Sequence, residues 1–226
     1  MRHQLFETFR LILCLAIAPQ VVAQATFQNV GFEAARAIPV FDPQGHPWTM
    51  PASDALPGWA CYLGTNRTES AWYNEIALDS AAVGIVSSAS PYPPSGLVVG
   101  QYGLSLQSGY IHQGAGILYT GPASVGQSGQ LPLGAQSIRF RGTVPFGVSF
   151  AGTEIPLAVL STQAGYNIYG GDISQFAGLT GELRITSYGH LGYLDGLSLS
   201  AQPVPEPASL SLLVIGLGFC GLKLRR

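Results

Sequence analysis

Apolar and polar residues alternate with a period of two along three segments in the second half of the chain, residues 137–142, 180–186 and 192–200. Such alternation places the apolar side chains on one face of a half-buried β-strand. Four more segments are rich in apolar residues and bounded by turn residues, and we predict strands there too, at 97–106, 110–119, 147–150 and 155–160. We find no segment with the 3.6-residue period of a long amphipathic helix.

Short strands separated by frequent turns are typical of antiparallel β-sandwiches, so the sequence predicts an all-β fold of this class. The turn signals are Gly121-Pro122, Gly152-Thr153 and Gly170-Gly171. One helical turn is predicted at residues 172–176, with Asp172 as its N-cap. Residues 39–64 are rich in proline and aromatic side chains, and we expect them to wrap the sandwich as a long loop.

Composition and charge exclude several classes of protein. The 226 residues include 29 glycines and 16 prolines, 10% of them are charged, and the net charge is −2. A disordered chain would carry more charge, and a nucleic-acid-binding protein would be basic. Residues 26–203 contain five arginines, no lysine and ten acidic residues, which gives a net charge of −5. We therefore expect no nucleic acid among the partners.

The pattern of residues 1–25 predicts a secretory signal peptide, and a signal peptide implies the Sec translocon as a partner. Arg2 and Arg10 supply positive charge, residues 11–18 form an apolar core, and cleavage is expected after Ala23 or Ala25. The alternative is an uncleaved membrane anchor, but the apolar run is far shorter than the ~20 residues that a span needs. We therefore expect residues 26–200 to form an exported domain.

The C-terminus carries three features in a fixed order. Pro205-Glu206-Pro207 ends a linker of residues 201–207, an apolar run follows at 208–222, and basic residues close the chain. A helix over that run reaches only ~22 Å, against ~30 Å for the hydrocarbon core of a bilayer. Residues 208–226 are thus predicted to be a marginal transmembrane sorting helix with a basic cytoplasmic tail, removed later. The alternative is a plain C-terminal anchor.

These C-terminal residues resemble the PEP-CTERM sorting signal of Gram-negative bacteria. The residues that carry the resemblance are Pro205, Glu206, Pro207, Arg225 and Arg226. The resemblance implies an exosortase-type processing enzyme as a partner, transient anchoring in the inner membrane, and delivery to the cell envelope or extracellular matrix. Exosortase genes accompany exopolysaccharide production, so the resemblance also implies an exopolysaccharide-rich neighbourhood.

A second set of motifs resembles the opening and closing strands of galactose-binding-like jelly rolls, the fold of many carbohydrate-binding modules. The set comprises Asn29-Val30-Gly31-Phe32-Glu33, Leu56-Pro57-Gly58-Trp59 and Tyr193-Leu194-Asp195-Gly196-Leu197. The resemblance implies that Glu33 and Asp195, on the first and last strands, hold a structural Ca²⁺, with backbone carbonyls or Asn29 completing the shell. The sequence departs from the family pattern at Gly196, where a second acid is common.

Four further side chains are assigned from their surroundings in the sequence. Trp48 and Trp72 lie in polar segments and are candidate platforms for sugar rings, whose C–H faces stack on aromatic side chains. Trp59 is expected in the core. Cys61 is the one cysteine between residues 26 and 203 and has apolar neighbours in sequence, so we expect a buried, unreactive thiol.

The motifs of common enzyme classes are missing from the sequence. It has no HExxH, P-loop or CxxC motif, and residues 147–151 only approach a nucleophile elbow. We therefore expect a non-catalytic surface or matrix protein that binds exopolysaccharide. One alternative is an exported polysaccharide hydrolase, which requires two convergent carboxylates and at least one raised pKa. The other is a structural coat protein without a ligand.

Overall fold

The computed structural model describes residues 26–36, 40–41, 47–77, 80–113, 116–189 and 191–205, and within them the side chains outside 40–41, 47–48, 110–113 and 116–120. The predicted signal peptide and the predicted transmembrane helix therefore lie outside the described residues. None of the helices in the described ranges is long and apolar enough to span a bilayer.

Nearly all regular structure in these ranges is β. The strands, in chain order, are β1 Val40–Phe41, β2 Pro47–Pro51, β3 Ala60–Leu63, β4 Asn66–Thr68, β5 Ser70–Tyr73, β6 Ala82–Ser87, β7 Tyr102–Gln107, β8 Gly109–Gln113, β9 Gly116–Gly121, β10 Ala123–Gln130, β11 Ser137–Gly142, β12 Gly147–Phe150, β13 Thr153–Glu154, β14 Leu157–Gln163, β15 Tyr166–Asp172, β16 Thr180–Ser187 and β17 Gly192–Ser200. A helical turn α1 lies at Ala52–Ala55, and a 3₁₀ turn lies at Ser174–Phe176.

The strands form two main sheets and one hairpin. The larger sheet has nine strands in the order β1-β2-β5-β6-β7-β17-β11-β15-β14, and the smaller has six in the order β13-β12-β16-β10-β3-β4. Strands β8 and β9 pair with each other. Strands β5 and β6 run parallel, whereas the other strand pairs of the described residues are antiparallel.

The two sheets share one hydrophobic core. Leu104 and Leu106 from the larger sheet and Val125, Leu183 and Ile185 from the smaller sheet belong to a single cluster and are at most 1% exposed. Strand β10 of the smaller sheet contacts β6 and β7 of the larger one. This arrangement is typical of a β-sandwich and supports the predicted all-β class.

Several predicted elements are confirmed. Strands β11, β12, β16 and β17 lie where residues 137–142, 147–150, 180–186 and 192–200 predicted them. The helical turn predicted at 172–176 is a 3₁₀ turn, but its N-cap is Ile173 and not the predicted Asp172. The Asp172 carboxylate, one position earlier, accepts the N–H of Ser174 at 2.8 Å.

Three strand predictions are correct only in part. Residues 110–119 contain two strands, β8 and β9, instead of one. The strand predicted at 97–106 begins only at Tyr102, because the residues before it form a loop. The strand predicted from Ile155 begins at Leu157, because Ile155 turns into the core and Pro156 cannot donate a ladder hydrogen bond.

Two predictions of irregular structure are wrong. Residues 39–64 are not one long loop, since they contain β2, α1 and β3. Gly170 and Gly171 do not form a turn but lie inside β15, where neighbouring side chains cover them. A Cβ on Gly170 would lie 2.6 Å from Leu160 Cδ1, and one on Gly171 would lie 2.6 Å from Ile155 Cγ2. These glycines therefore serve close packing.

Candidate functional sites

Glu33 and Asp195 meet at the loop before β7. Glu33 Oε2 accepts the N–H of Gln101 at 2.9 Å, and its Oε1 accepts that of Tyr102 at 3.3 Å. Asp195 Oδ2 accepts the N–H of Val99 at 2.5 Å. The structure thus brings to one short segment the two carboxylates that the sequence singled out as metal ligands.

Glu33 does not lie on a strand, contrary to the sequence-based expectation, but in a turn. Positive φ angles at Asn29 (+50°) and Phe32 (+61°) shape this turn. Phe32 is fully buried against Trp59, with 5.7 Å between ring centroids, which leaves Glu33 on the outside. Its carboxylate lies over Gly100, where a Cβ would come within 2.6 Å of Oε1. The turn therefore requires a glycine opposite it.

Asp195 lies on the last strand, as expected, and is fully buried. The register of β17 against β11 shifts before Arg141, and Gly196 has a φ of +64°, so the strand carries a bulge here. Burial raises the pKa of Asp195 to about 6; backbone N–H groups and Arg141 oppose the rise, while Glu33 adds to it. Its Oδ1 is buried without a hydrogen-bond partner among the described residues.

This pair offers part of a shell for a hard cation. Asp195 Oδ1 is a free anionic oxygen, the atom type that Ca²⁺ prefers. The Asn29 side chain is engaged elsewhere, because it donates to Pro57 O and accepts from the N–H of Ala34. The described residues contain no group of three or more His, Cys, Asp and Glu side chains that could hold a metal. An ion here would therefore need carbonyl or water ligands as well.

A second site is a cleft of about 510 Å³ on the smaller sheet, which we call the sheet cleft. Its walls come from β3, β4, β10 and β16, and from the segment that leads into β3. Residues opposite each other in an antiparallel pair face the same side. Tyr62 lies opposite Ser124, and Arg184 lies opposite Gly126, so these side chains share the outer face beside the cleft.

The lining of the sheet cleft combines the Tyr62 ring with the Glu182 carboxylate, which is paired with Arg184 beside the cleft. Arg184 Nε lies 2.7 Å from Glu182 Oε1, and its guanidinium carbon lies 4.2 Å from the centre of the Tyr62 ring. Arg184 also donates to Ser124 Oγ at 3.2 Å. Gly126 makes room for Glu182, since a Cβ there would lie 3.0 Å from the carboxylate carbon. The polar groups of this wall are therefore held in place before any ligand arrives.

Four other cleft residues lie either at its exposed rim or in the core below it. Arg67 and Glu69 form an exposed ion pair at 3.0 Å, so Glu69 and Glu182, the two acids that line the described cleft, each have an arginine partner. Trp59 is 5% exposed and donates from Nε1 to Asn29 O at 3.0 Å, which confirms it as a core residue. Cys61 is 1% exposed, and burial raises the pKa of its thiol to about 12. The expectation of a buried thiol is confirmed.

Sequence reasoning missed the sheet cleft. Glu182 and Arg184 alternate on the predicted strand 180–186, and this spacing alone places them on one face. The sequence does not indicate Tyr62 as a site residue, because a loop predicted over residues 39–64 gives its side chain no defined face. The cleft depends on the pairing of β3 with β10, which local sequence does not reveal.

The tryptophans predicted to bind sugar lie elsewhere. Trp72 is on β5 of the larger sheet, half-buried, and does not line the sheet cleft. Trp48 is on β2, and its side chain is outside the described part of the chain. Their role in ligand binding stays a prediction.

Of the residues assigned to sorting, the structure describes Pro205, while Glu206, Pro207, Arg225 and Arg226 lie outside the described residues. Comparison with known families matches residues 203–226 to the PEP-CTERM protein-sorting motif. No curated protein and no solved structure matches the chain, and the jelly-roll resemblance stays a prediction. The C-terminal motif indicates a protein that is exported, anchored in the membrane during sorting, and delivered to the cell surface by exosortase.

Proposed function

We propose that the exported domain is a non-catalytic module that binds polysaccharide in the sheet cleft, on a protein that exosortase sorts to the surface. The observation that carries this proposal is the joint presence of the Tyr62 ring and the Glu182 carboxylate in the lining of an open cleft, with Arg184 beside the cleft holding both in place. Sugars present C–H faces and hydroxyl groups together, and their sites combine aromatic rings with fixed polar groups.

The charges of the cleft favour a ligand with little net charge. The pairs Arg184–Glu182 and Arg67–Glu69 each contain one cation and one anion at 3.0 Å or less. The fields of these two pairs largely cancel beyond the cleft, so the pairs offer hydrogen bonds more than long-range attraction, while Arg36, which also lines the cleft, adds one positive charge. A neutral or weakly anionic stretch of exopolysaccharide fits these features best.

We favour binding over hydrolysis because the acids are unsuitably placed for catalysis. A glycosidase needs one protonated and one ionised carboxyl group on either side of the bond. In the cleft, Glu69 and Glu182 are both paired with arginines. Among the described residues, the carboxyl group with a raised pKa is that of Asp195, which is fully buried and does not line the cleft. A substrate in the cleft would not reach it.

The test is binding of the purified protein to a panel of polysaccharides that includes the one its host makes. Loss of the ring in Tyr62→Ala should weaken saturable binding about tenfold, since aromatic contacts of this kind contribute ~1 kcal/mol or more. Tyr92→Ala is the matched control, because Tyr92 is 41% exposed and lies outside the cleft lining.

The outcomes separate the alternatives. If Trp72→Ala loses binding and Tyr62→Ala retains it, the binding site lies on the larger sheet instead. A folded protein that binds nothing in the panel would contradict the proposal and favour a structural coat protein. Shortened polysaccharide chains after incubation would indicate a hydrolase.

We also propose that Glu33 and Asp195 hold a structural Ca²⁺ ion. The support is the buried, unpaired Oδ1 of Asp195 next to a second carboxylate. When bound, the ion would neutralise both groups and tie the Glu33 turn to β17. We expect Ca²⁺ to raise the thermal unfolding temperature of the protein and a chelator to reverse this. Asp195→Asn should abolish the response, whereas Asp172→Asn, at an exposed carboxylate, should keep it. An equal response in both variants would contradict the proposal.

A further inference from the structure

The linker that leads to the sorting motif is held against the domain by hydrogen bonds. Ser137 Oγ donates to Gln202 O at 2.6 Å, and Arg139 Nη2 donates to Pro203 O at 2.8 Å. Arg139 Nε also donates to Ser137 Oγ at 3.1 Å, so the two side chains form one network. Both lie on β11, where they are two residues apart and therefore share a face.

This network is more than a chance surface contact. Ser137 is fully buried, so its hydroxyl needs a partner inside the protein, and the linker carbonyl supplies it. The bond from Arg139 is charge-assisted and thus stronger than a neutral one. Val204 is half-buried while the residues beside it are exposed. Proline at 203 and 205 stiffens the linker and lowers the entropy lost on docking.

The docked linker continues along a groove. Pro203, Val204 and Pro205 line a cavity of about 320 Å³ together with residues of β14 and β15, among them Leu157 and Gly170. The first residue of the Pro-Glu-Pro motif therefore lies against the folded domain. Only Glu206 and Pro207 separate it from the apolar run that begins at Ala208. Three peptide units span at most ~11 Å, so the domain must stay close to the membrane while the linker is docked.

We propose that this docking restrains processing: the linker must leave its site on β11 before the sorting enzyme can act at the Pro-Glu-Pro motif. An enzyme that cuts the chain there has to surround it, and a segment held by Arg139 and Ser137 in a groove is shielded on one side. The domain thus competes with the enzyme for residues 203–205. This inference rests on the sorting motif and is independent of polysaccharide binding.

The docking itself is tested by backbone ¹⁵N relaxation on the full-length protein in detergent. The amides of Gln202 and Val204 should be nearly as ordered as those of β17, with order parameters near ~0.85. Arg139→Ala should lower them toward ~0.6 or less, Arg139→Lys should give intermediate values, and the control Arg67→Ala should leave them unchanged. Mobile linker amides in the unaltered protein would overturn the inference.

The restraint on processing is tested by pulse-chase labelling in a host that contains the processing enzyme. The intact mass of the protein, followed over time, reports removal of the C-terminal tail. Loss of the charge-assisted bond in Arg139→Ala should speed removal of the tail about fivefold, while Arg67→Ala should match the unaltered protein. Thermal unfolding of each variant checks that the domain stays folded. An unchanged or slower rate in Arg139→Ala overturns the restraint. No tail removal from the unaltered protein would instead overturn processing near the motif, and the restraint with it.

Discussion

Single side chains join segments of the chain that are far apart in sequence. Gln127 on β10 accepts the N–H of Gln28 at 2.6 Å and donates to the carbonyl of Gly58 at 2.8 Å. Gly58 has a φ of +86°, and a Cβ there would lie 2.8 Å from Gln127 Nε2. One buried amide thus fixes the first described segment and the entry to β3. It explains why a glycine precedes Trp59, one wall of the sheet cleft.

The buried position of the Cys61 thiol, in the core beneath the sheet cleft, can be tested by alkylation. With a pKa raised to about 12, only about one thiol in ten thousand is ionised at pH 8, and the thiolate is the reactive form. Alkylation of Cys61 at this pH should be about a thousandfold slower in the native protein than in denaturant. Mass spectrometry of the Cys61 peptide measures both rates. Native labelling within tenfold of the denatured rate would contradict the buried position.

At the scale of elements, the parallel junction between β5 and β6 is a point of close packing in the larger sheet. Trp72 of β5 lies opposite Gly84 of β6, which in turn lies opposite Ser105 of β7. A Cβ on Gly84 would lie 2.6 Å from Ser105 Oγ and 3.0 Å from the backbone oxygen of Trp72. Side chains larger than hydrogen are therefore excluded from the middle of this three-strand unit.

Gly84→Ala should destabilise the protein by about 2 kcal/mol, because the extra methyl group forces strands apart in a packed sheet. Chemical denaturation followed by tryptophan fluorescence gives the free energy of unfolding. Gly31→Ala is the matched control, since a Cβ there would meet nothing within 4 Å and the residue has no positive φ. Equal stability losses in the two variants would show that the junction is looser than described.

At the scale of the whole molecule, the proposed ligand site and the docked linker lie on different sheets. The sheet cleft belongs to the smaller sheet, whereas Arg139 and the docked linker belong to the larger one. A polysaccharide in the cleft would therefore leave the linker free to undock.

The sequence predicted those parts of the fold in which local pattern decides. Strands β11, β16 and β17 alternate clearly, and each is confirmed. Strand β15 was missed because its two glycines mimic a turn, and only the contacts with Leu160 and Ile155 show why they are there. The meeting of Glu33 and Asp195 followed from a family resemblance, but the buried, unpaired oxygen of Asp195 did not. Such features depend on packing between distant segments.

The most direct test of the proposed function is an NMR titration of the full-length protein with oligosaccharides cut from the host polysaccharide. We expect chemical-shift changes that saturate and cluster at and beside the sheet cleft, at Tyr62, Gly126, Glu182 and Arg184. The amides of the docked linker, on the other sheet, should not shift. Saturating changes confined to the larger sheet, or no changes at all, would contradict the proposed function.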